Sequence, residues 1–293
     1  MRLTINDNEL EVEVLGPEDA PVLIAHHGGG GIRSLEEPKA TFGPLAEWFR
    51  VIVFDARGCG RSEGKEPFSH AQWAADVDGL RQWAGAERIV VTGGSYGGFI
   101  AMEYAIAYPE HVAAIILRDT SADNSNLARA YENAREQTRV EINWDNFDRY
   151  WSGRITDDED LKARWAEIIP LYDFHYDPVA AAARVEAGIY RHESHNWCFQ
   201  HNMPAYDLKP QLPQVTAPTL VTVGRTDWVT PVSSAETIAS LMPNAELVVF
   251  EHSGHSPQME EAELFQATMR RFLAGVFPEL PGLAPESSGV AAD

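Results

Sequence analysis

The sequence predicts an α/β fold: a mostly parallel sheet covered by helices on both faces, with a helical segment inserted between two strands. Three observations predict it. Short apolar runs such as Pro21–Ala25, Arg88–Thr92, Val112–Leu117 and Pro218–Val223 recur without polar alternation, separated by helix-like stretches. Strands of that kind are buried on both faces, which is the situation of parallel strands under crossover helices. Residues 121–210 break this rhythm; they are rich in Trp, Tyr, Arg and Asp and offer no strand. Finally, Val91-Thr-Gly-Gly-Ser-Tyr-Gly-Gly98 places Gly-x-Ser-x-Gly between an apolar run and a helix-like run. That strand–turn–helix setting lifts a serine above the end of a strand, at a helix N-terminus.

The elements follow in order. Residues 2–15 alternate enough for an opening hairpin that turns at Asn6-Asp7-Asn8. Strands are expected near 21–26, 50–55, 88–92, 112–118, 218–223 and 246–250, and helices near 70–84, 96–108, 232–242 and 257–275. Residues 1–120 and 211–277 thus form the sheet domain, and 121–210 a helical cap over its catalytic end. The expected cap helices are Asn124–Glu141, Trp144–Trp151, Asp157–Ile169, Pro178–Glu186 and Gly188–His192. Residues 278–293, with three prolines and two glycines, read as a disordered tail.

Ser95 is the candidate nucleophile. A serine hydroxyl needs a general base within hydrogen-bond reach, and the base needs an orienting carboxylate. Gly224-Arg-Thr-Asp227 follows one apolar run, and Glu251-His-Ser-Gly-His255 follows the next. Asp227 and His255 are the preferred acid and base, in the chain order Ser, Asp, His. Asp119, at the end of an earlier strand, competes with Asp227, and His252 competes with His255. The loop His26-His27-Gly28-Gly29-Gly30-Gly31 offers backbone donors for an oxyanion. Gly29 is preferred, then Gly28, with the N–H of Tyr96 as the second donor.

Other chemistries lack support. The four glycines are not followed by Gly-Lys-Ser/Thr and open no Gly-x-Gly-x-x-Gly helix, so a phosphate cradle is disfavoured. His26 and His27 have no ligand partners at metal-site spacing, and His192-Glu-Ser-His195 is one residue short of His-Glu-x-x-His. No metal and no cofactor are expected. The formal net charge is −21, which disfavours nucleic acid and anionic membranes as partners. Two cysteines suggest no disulfide framework, and no run is long enough to span a bilayer. Met1–Asp7 carries no apolar core of a secretory signal, so a cytoplasmic location is the expectation. The expected partner is a small-molecule or short-peptide substrate.

With these residues in place, the chain resembles the α/β-hydrolase superfamily over roughly residues 1–275. Within it, the chain is most similar to the proline iminopeptidase group of serine aminopeptidases. His27-Gly-Gly-Gly-Gly31 is similar to that group's His-Gly-Gly-Pro-Gly, although Gly30 stands where the group has proline. Phe54-Asp-Ala-Arg-Gly-Cys-Gly-Arg-Ser62 matches its Asp-x-Arg-Gly-x-Gly-x-Ser loop, and Gly93–Gly98 its elbow. The resemblance implies an α/β-hydrolase fold and release of an N-terminal residue through an acyl-enzyme. It also implies acidic cap residues that hold a free α-amine. Glu193 is the first candidate, with Tyr190 and Trp197 beside it to desolvate the pair; the alternative is that Glu193 only pairs with Arg191 or another surface charge. The same triad suits an esterase, lactonase or small-amide hydrolase. A ligand-binding receptor on a hydrolase fold is the remaining alternative.

Overall fold

The computed structural model describes residues 1–284. One eight-stranded sheet runs β1 (Arg2–Ile5), β2 (Asn8–Leu15), β4 (Arg50–Phe54), β3 (Val22–His26), β5 (Ile89–Gly94), β6 (Val112–Arg118), β7 (Thr219–Gly224), β8 (Ala245–Phe250). The hairpin β1–β2 joins it antiparallel, and every later pairing is parallel. Asn6 and Asp7 both adopt positive φ, as a tight hairpin turn requires.

The helices are α1 (Glu36–Phe42), α2 (His70–Trp83), α3 (Tyr96–Ala107), α4 (Ser125–Glu136), α5 (Trp144–Trp151), α6 (Asp158–Ile168), α7 (Pro178–Ala187), α8 (His192–Trp197), α9 (Val232–Leu241), α10 (Pro257–Glu260) and α11 (Ala262–Val276). The period-two geometry of the strands divides their apolar side chains between two cores. Ile24, Ile52, Val91 and Ile115 meet Trp73 and Val77 of α2 and Tyr104 of α3. Leu23, Val51, Val53, Val90 and Ile116 meet Phe42 of α1 and Phe265, Met269 and Leu273 of α11. Burial on both faces explains the unbroken apolar runs.

Three expectations are corrected. Helix α1 was not foreseen, because its seven residues are too few for a clear period. Residues 188–191 are not helical: Gly188 ends α7 in extended backbone, and the next helix starts at His192 and continues through a wide turn to Asn202. The first part of the supposed tail is docked. Trp48 Nε1 donates to Pro281 O at 3.0 Å, Arg270 Nε donates to Leu283 O at 3.1 Å, and Leu283 is fully buried in the second core. One apolar side chain with a place to go outweighs a composition rich in proline and glycine. The rest of that stretch, 285–293, lies outside the described residues.

In-register parallel pairing aligns the strand ends. His26 pairs with Phe54 and Gly93, Gly94 with Arg118, and Gly224 with Phe250. The loops after β3, β5, β6, β7 and β8 therefore open at one edge of the sheet. Helices α4–α8 occupy the connection between β6 and β7. They pack their own aromatic cluster, which takes in Ile32, Trp228 and Val229 from the sheet domain.

Candidate active site

Ser95 sits between β5 and α3 with φ 53° and ψ −121°, a conformation that side-chain-bearing residues avoid. The chain crowds so closely here that only glycine fits around it. A Cβ on Gly93 would lie 2.2 Å from the Gly97 carbonyl, and one on Gly97 would lie 2.6 Å from the carbonyl oxygens of His26 and His27. The strained turn is pinned from β6: Ser95 N–H donates to Arg118 O at 2.8 Å, and Thr120 Oγ1 donates to Ser95 O at 2.8 Å. As the first residue of α3, Tyr96 has an N–H without an intrahelical acceptor, and the positive end of the helix dipole lies there.

His255 and Asp227 are brought together by the loops after β8 and β7. His255 Nδ1 lies 2.8 Å from Asp227 Oδ2. Asp227 also accepts from the N–H groups of Val229 at 2.9 Å and Thr230 at 3.0 Å, and from Thr230 Oγ1 at 2.7 Å. Such a set of donors fixes the plane of the carboxylate. The His255 N–H donates to Tyr172 O at 2.7 Å, and the Tyr172 ring meets the imidazole edge-on at 5.1 Å. Ser95 and His255 line one cavity. His252 is exposed, packs against Phe174 and does not line it.

Asp119 lies close by, fully buried and with φ 47°. Ligand atoms of Asp119, Asp227 and His255 all fall within 4.8 Å of one another. Burial first, and the Asp227 charge second, push the Asp119 carboxyl up to about 7. It accepts the Gly224 N–H at 3.0 Å and faces Arg118 Nη1 at 3.4 Å, fewer donors than Asp227 receives. Asp119 is therefore the member of the pair that holds a proton more readily, and Asp227 is the one whose oxygen meets the imidazole.

Gly28, Gly29 and Gly30 line the same cavity. The Gly28 N–H is turned toward Glu37 Oε2 at 3.4 Å, and Gly29 holds φ 54°. Gly30 has a steric reason to be glycine: a Cβ there would lie 2.3 Å from Cys198 Sγ. The wide turn after α8 thus presses against the loop where the related group carries proline.

The cap assignments need correction. The cavity wall from the helical segment includes Tyr150, Trp151, Trp165, Tyr172, His195 and Phe199, and Glu193, Tyr190 and Trp197 are not on it. On α8, His195 and the later Phe199 face the cavity; Glu193 and Trp197 are each two positions from His195, about 200° around the helix. They share the opposite face. Glu193 lines a separate polar cleft with Arg191, Asp158 and Ser62, while Trp197 packs on Phe68. Tyr190 turns its hydroxyl to Val185 O at 2.7 Å. Sequence reading missed Glu37, Arg118 and Arg33, all on the cavity wall. Arg33 and Glu37 follow the glycine loop by only a few residues, and that proximity was the available signal.

Comparison with known proteins fits this geometry. The profile of the family described as alpha/beta hydrolase fold matches residues 21–159 and 169–262. The chain is 33% identical to the proline iminopeptidase PfmaB of Pestalotiopsis fici over 280 residues, 92% of this chain and 97% of that protein. It is 27% identical to a 2-hydroxy-6-oxo-6-phenylhexa-2,4-dienoate hydrolase of Burkholderia cepacia, over 93% of this chain and 95% of that one. Among solved structures, a thermophilic esterase of Thermogutta terrifontis superposes with a TM-score of 0.71 at 26% identity, covering 94% of this chain and 98% of that chain.

Proposed function

The chain belongs to the α/β-hydrolase family and is a serine hydrolase; from that premise we propose that it cleaves small esters or amides through an acyl-enzyme on Ser95. Ser95 Oγ attacks the carbonyl carbon, and His255 takes its proton. Asp227 holds the imidazole in the tautomer that can accept at its other nitrogen and stabilises the imidazolium. The N–H groups of Gly29 and Tyr96 meet the charge that develops on the carbonyl oxygen. His255 then protonates the leaving alcohol or amine, and a water activated by the same imidazole releases the acid. The observation that carries this reading is the His255–Asp227 pair at 2.8 Å on a cavity that also holds Ser95 and the glycine loop.

The reading prefers ester or simple amide over aminopeptidase chemistry. A buried α-ammonium needs a carboxylate facing it. Among the described residues, Glu37 is the one acidic side chain on the cavity wall, and it is already bound by Arg118 and turned to the Gly28 N–H. The aminopeptidase reading keeps one specific support, the similarity to a proline iminopeptidase along nearly the whole chain. Turnover of 4-nitrophenyl butyrate and proline 4-nitroanilide decides between them. Ester hydrolysis with at least tenfold lower kcat/KM on the anilide is expected, and the reverse ranking restores the aminopeptidase reading.

A further inference from the structure

We propose that Arg33 is a carboxylate-binding residue of the catalytic cavity, so that the preferred substrate is an ester or amide that carries a carboxylate elsewhere in its structure. This rests on the proposed hydrolase reading of the same cavity. Arg33 lies four residues beyond Gly29, on the loop between the oxyanion donors and α1, and it lines the cavity with Ser95 and His255. A Cβ on Gly29 would lie 3.4 Å from Arg33 Cγ, so the stem of Arg33 runs beside the oxyanion loop. Its guanidinium stands 5.1 Å from the centre of the Trp165 ring.

What sets Arg33 apart is its lack of partners. Among the described residues its side chain makes no hydrogen bond and no ion pair. The neighbouring cations each have a carboxylate partner. Arg118 is bound to Glu37 and faces Asp119 and His255 O, and Arg184 Nη1 reaches Asp173 Oδ1 at 3.0 Å. Two of these three guanidiniums thus have a carboxylate partner, Glu37 for Arg118 and Asp173 for Arg184, and Arg33 has none. Of the two cations on the cavity wall, Arg33 is the one without an ion pair.

Burial disfavours the charged form of Arg33, yet a guanidinium stays protonated, so the unmet demand is for an anion. A carboxylate matches it: planar, singly charged and able to accept two parallel N–H groups. The flat Trp165 ring behind the guanidinium restricts it to a few orientations. Phe99, Leu127, Phe199 and Met203 give the wall a large apolar share, beside the side-chain amides of Asn126 and Gln258. That favours a substrate with one anionic group and an apolar body over a multiply charged one.

The test uses the full chain carrying Ser95→Ala, with binding followed by calorimetry. The probes are phenylacetate and hexanoate against their neutral amides, phenylacetamide and hexanamide. The acids should bind roughly ten- to a hundredfold tighter than the amides, the scale of a desolvated charge-assisted contact. Arg33→Gln in that background should bring the ratio close to one, and Arg33→Lys should retain part of it. Equal affinities for acid and amide overturn the proposal, as does a preference that persists in Arg33→Gln. Should the glutamine variant fail to fold, a lysine variant with undiminished preference overturns it equally. Calorimetry needs no turnover. An Arg33-dependent preference in a chain that hydrolyses no ester would leave this inference standing and end the hydrolase reading. Hydrolysis of neutral esters without the preference would do the opposite.

Discussion

The carboxyl edge of the sheet and the helical segment between β6 and β7 supply opposite kinds of residue to one cavity. The sheet edge supplies chemistry: Ser95, Asp227, His255 and the glycine loop each sit within a few residues of a strand end, and Ser95 is held by a backbone hydrogen bond to Arg118 O of the next strand. The helical segment supplies walls, mostly aromatic rings that interlock with one another. Tyr150 packs on His195 at 4.5 Å, and Trp151 meets both Phe199 and Trp228. A reaction needs few groups at fixed positions, and strand ends fix them. A binding surface needs shape, which emerges when helices pack. The same substitution should therefore have very different consequences in the two regions.

The largest effect belongs to the sheet edge. Ser95→Ala should lower kcat by about a millionfold, with residual turnover from the oxyanion donors. Its circular dichroism and Tm should stay near those of the parent, because the half-buried Ser95 hydroxyl opens onto the cavity and supports no core. His255→Ala should match it, since members of one catalytic unit are not additive, while His252→Ala should change kcat little. Asp227→Asn should fall about ten-thousandfold by analogy with loss of the orienting charge in other triads. A dead His252→Ala with an active His255→Ala would move the base to the exposed histidine.

That contrast also explains what could be read from the chain. Ser95 was legible because its whole signature is local: a strand, two glycines that admit no Cβ, and a helix. Asp227 and His255 were legible because strand ends mark them. The choice of Asp227 over Asp119 rested on its Gly-x-x-Asp loop and its place one strand before the histidine. The hydrogen bonds from Val229 and Thr230 that give it a physical basis come from residues whose placement no periodicity announces. Cap residues were not legible. The expected helix Gly188–His192 ended where α8 begins, so Glu193 and Trp197 were read without a helical face to place them. Glu193, chosen for its charge and its aromatic neighbours, falls on the far face. Arg33 drew no attention because a lone arginine in a loop carries no pattern; its meaning lies in the ion pairs its neighbours have and it lacks.

A smaller effect should separate the two buried carboxylates. Asp119→Asn should reduce kcat about tenfold or less, because Asp227 still orients His255. Its clearer signature is in stability. The Asp119 carboxyl titrates at about 7 in the folded chain and near 3.9 when unfolded. Between those values the folded chain holds a proton that the unfolded chain has released. The contribution is fully present below about pH 4 and is lost as pH rises to about 7. Asparagine does not ionise. The Tm difference between parent and Asp119→Asn should therefore change steadily from pH 4 to 7, the variant gaining on the parent as pH rises, and then level off. A pH-independent difference would show that Asp119 ionises as readily in the folded chain as in water.

The smallest effect is expected at the helical segment's most conspicuous acid. If Glu193 held a substrate amine, Glu193→Gln would lower activity on a free-amine substrate and spare its N-acetylated counterpart. The geometry argues otherwise. Glu193 shares a face of α8 with Trp197, away from His195 and Phe199, and lines a cleft apart from Ser95. A charge outside the cavity and open to solvent is screened, and its removal changes binding inside by well under 1 kcal/mol. Glu193→Gln should therefore alter kcat/KM less than about twofold on both substrates, leaving their ratio unchanged. Discrimination between free and blocked amines that collapses in this variant would mean that α8 turns toward the cavity when substrate binds. The division between a sheet edge that reacts and a helical segment that only shapes the cavity would then have to be abandoned.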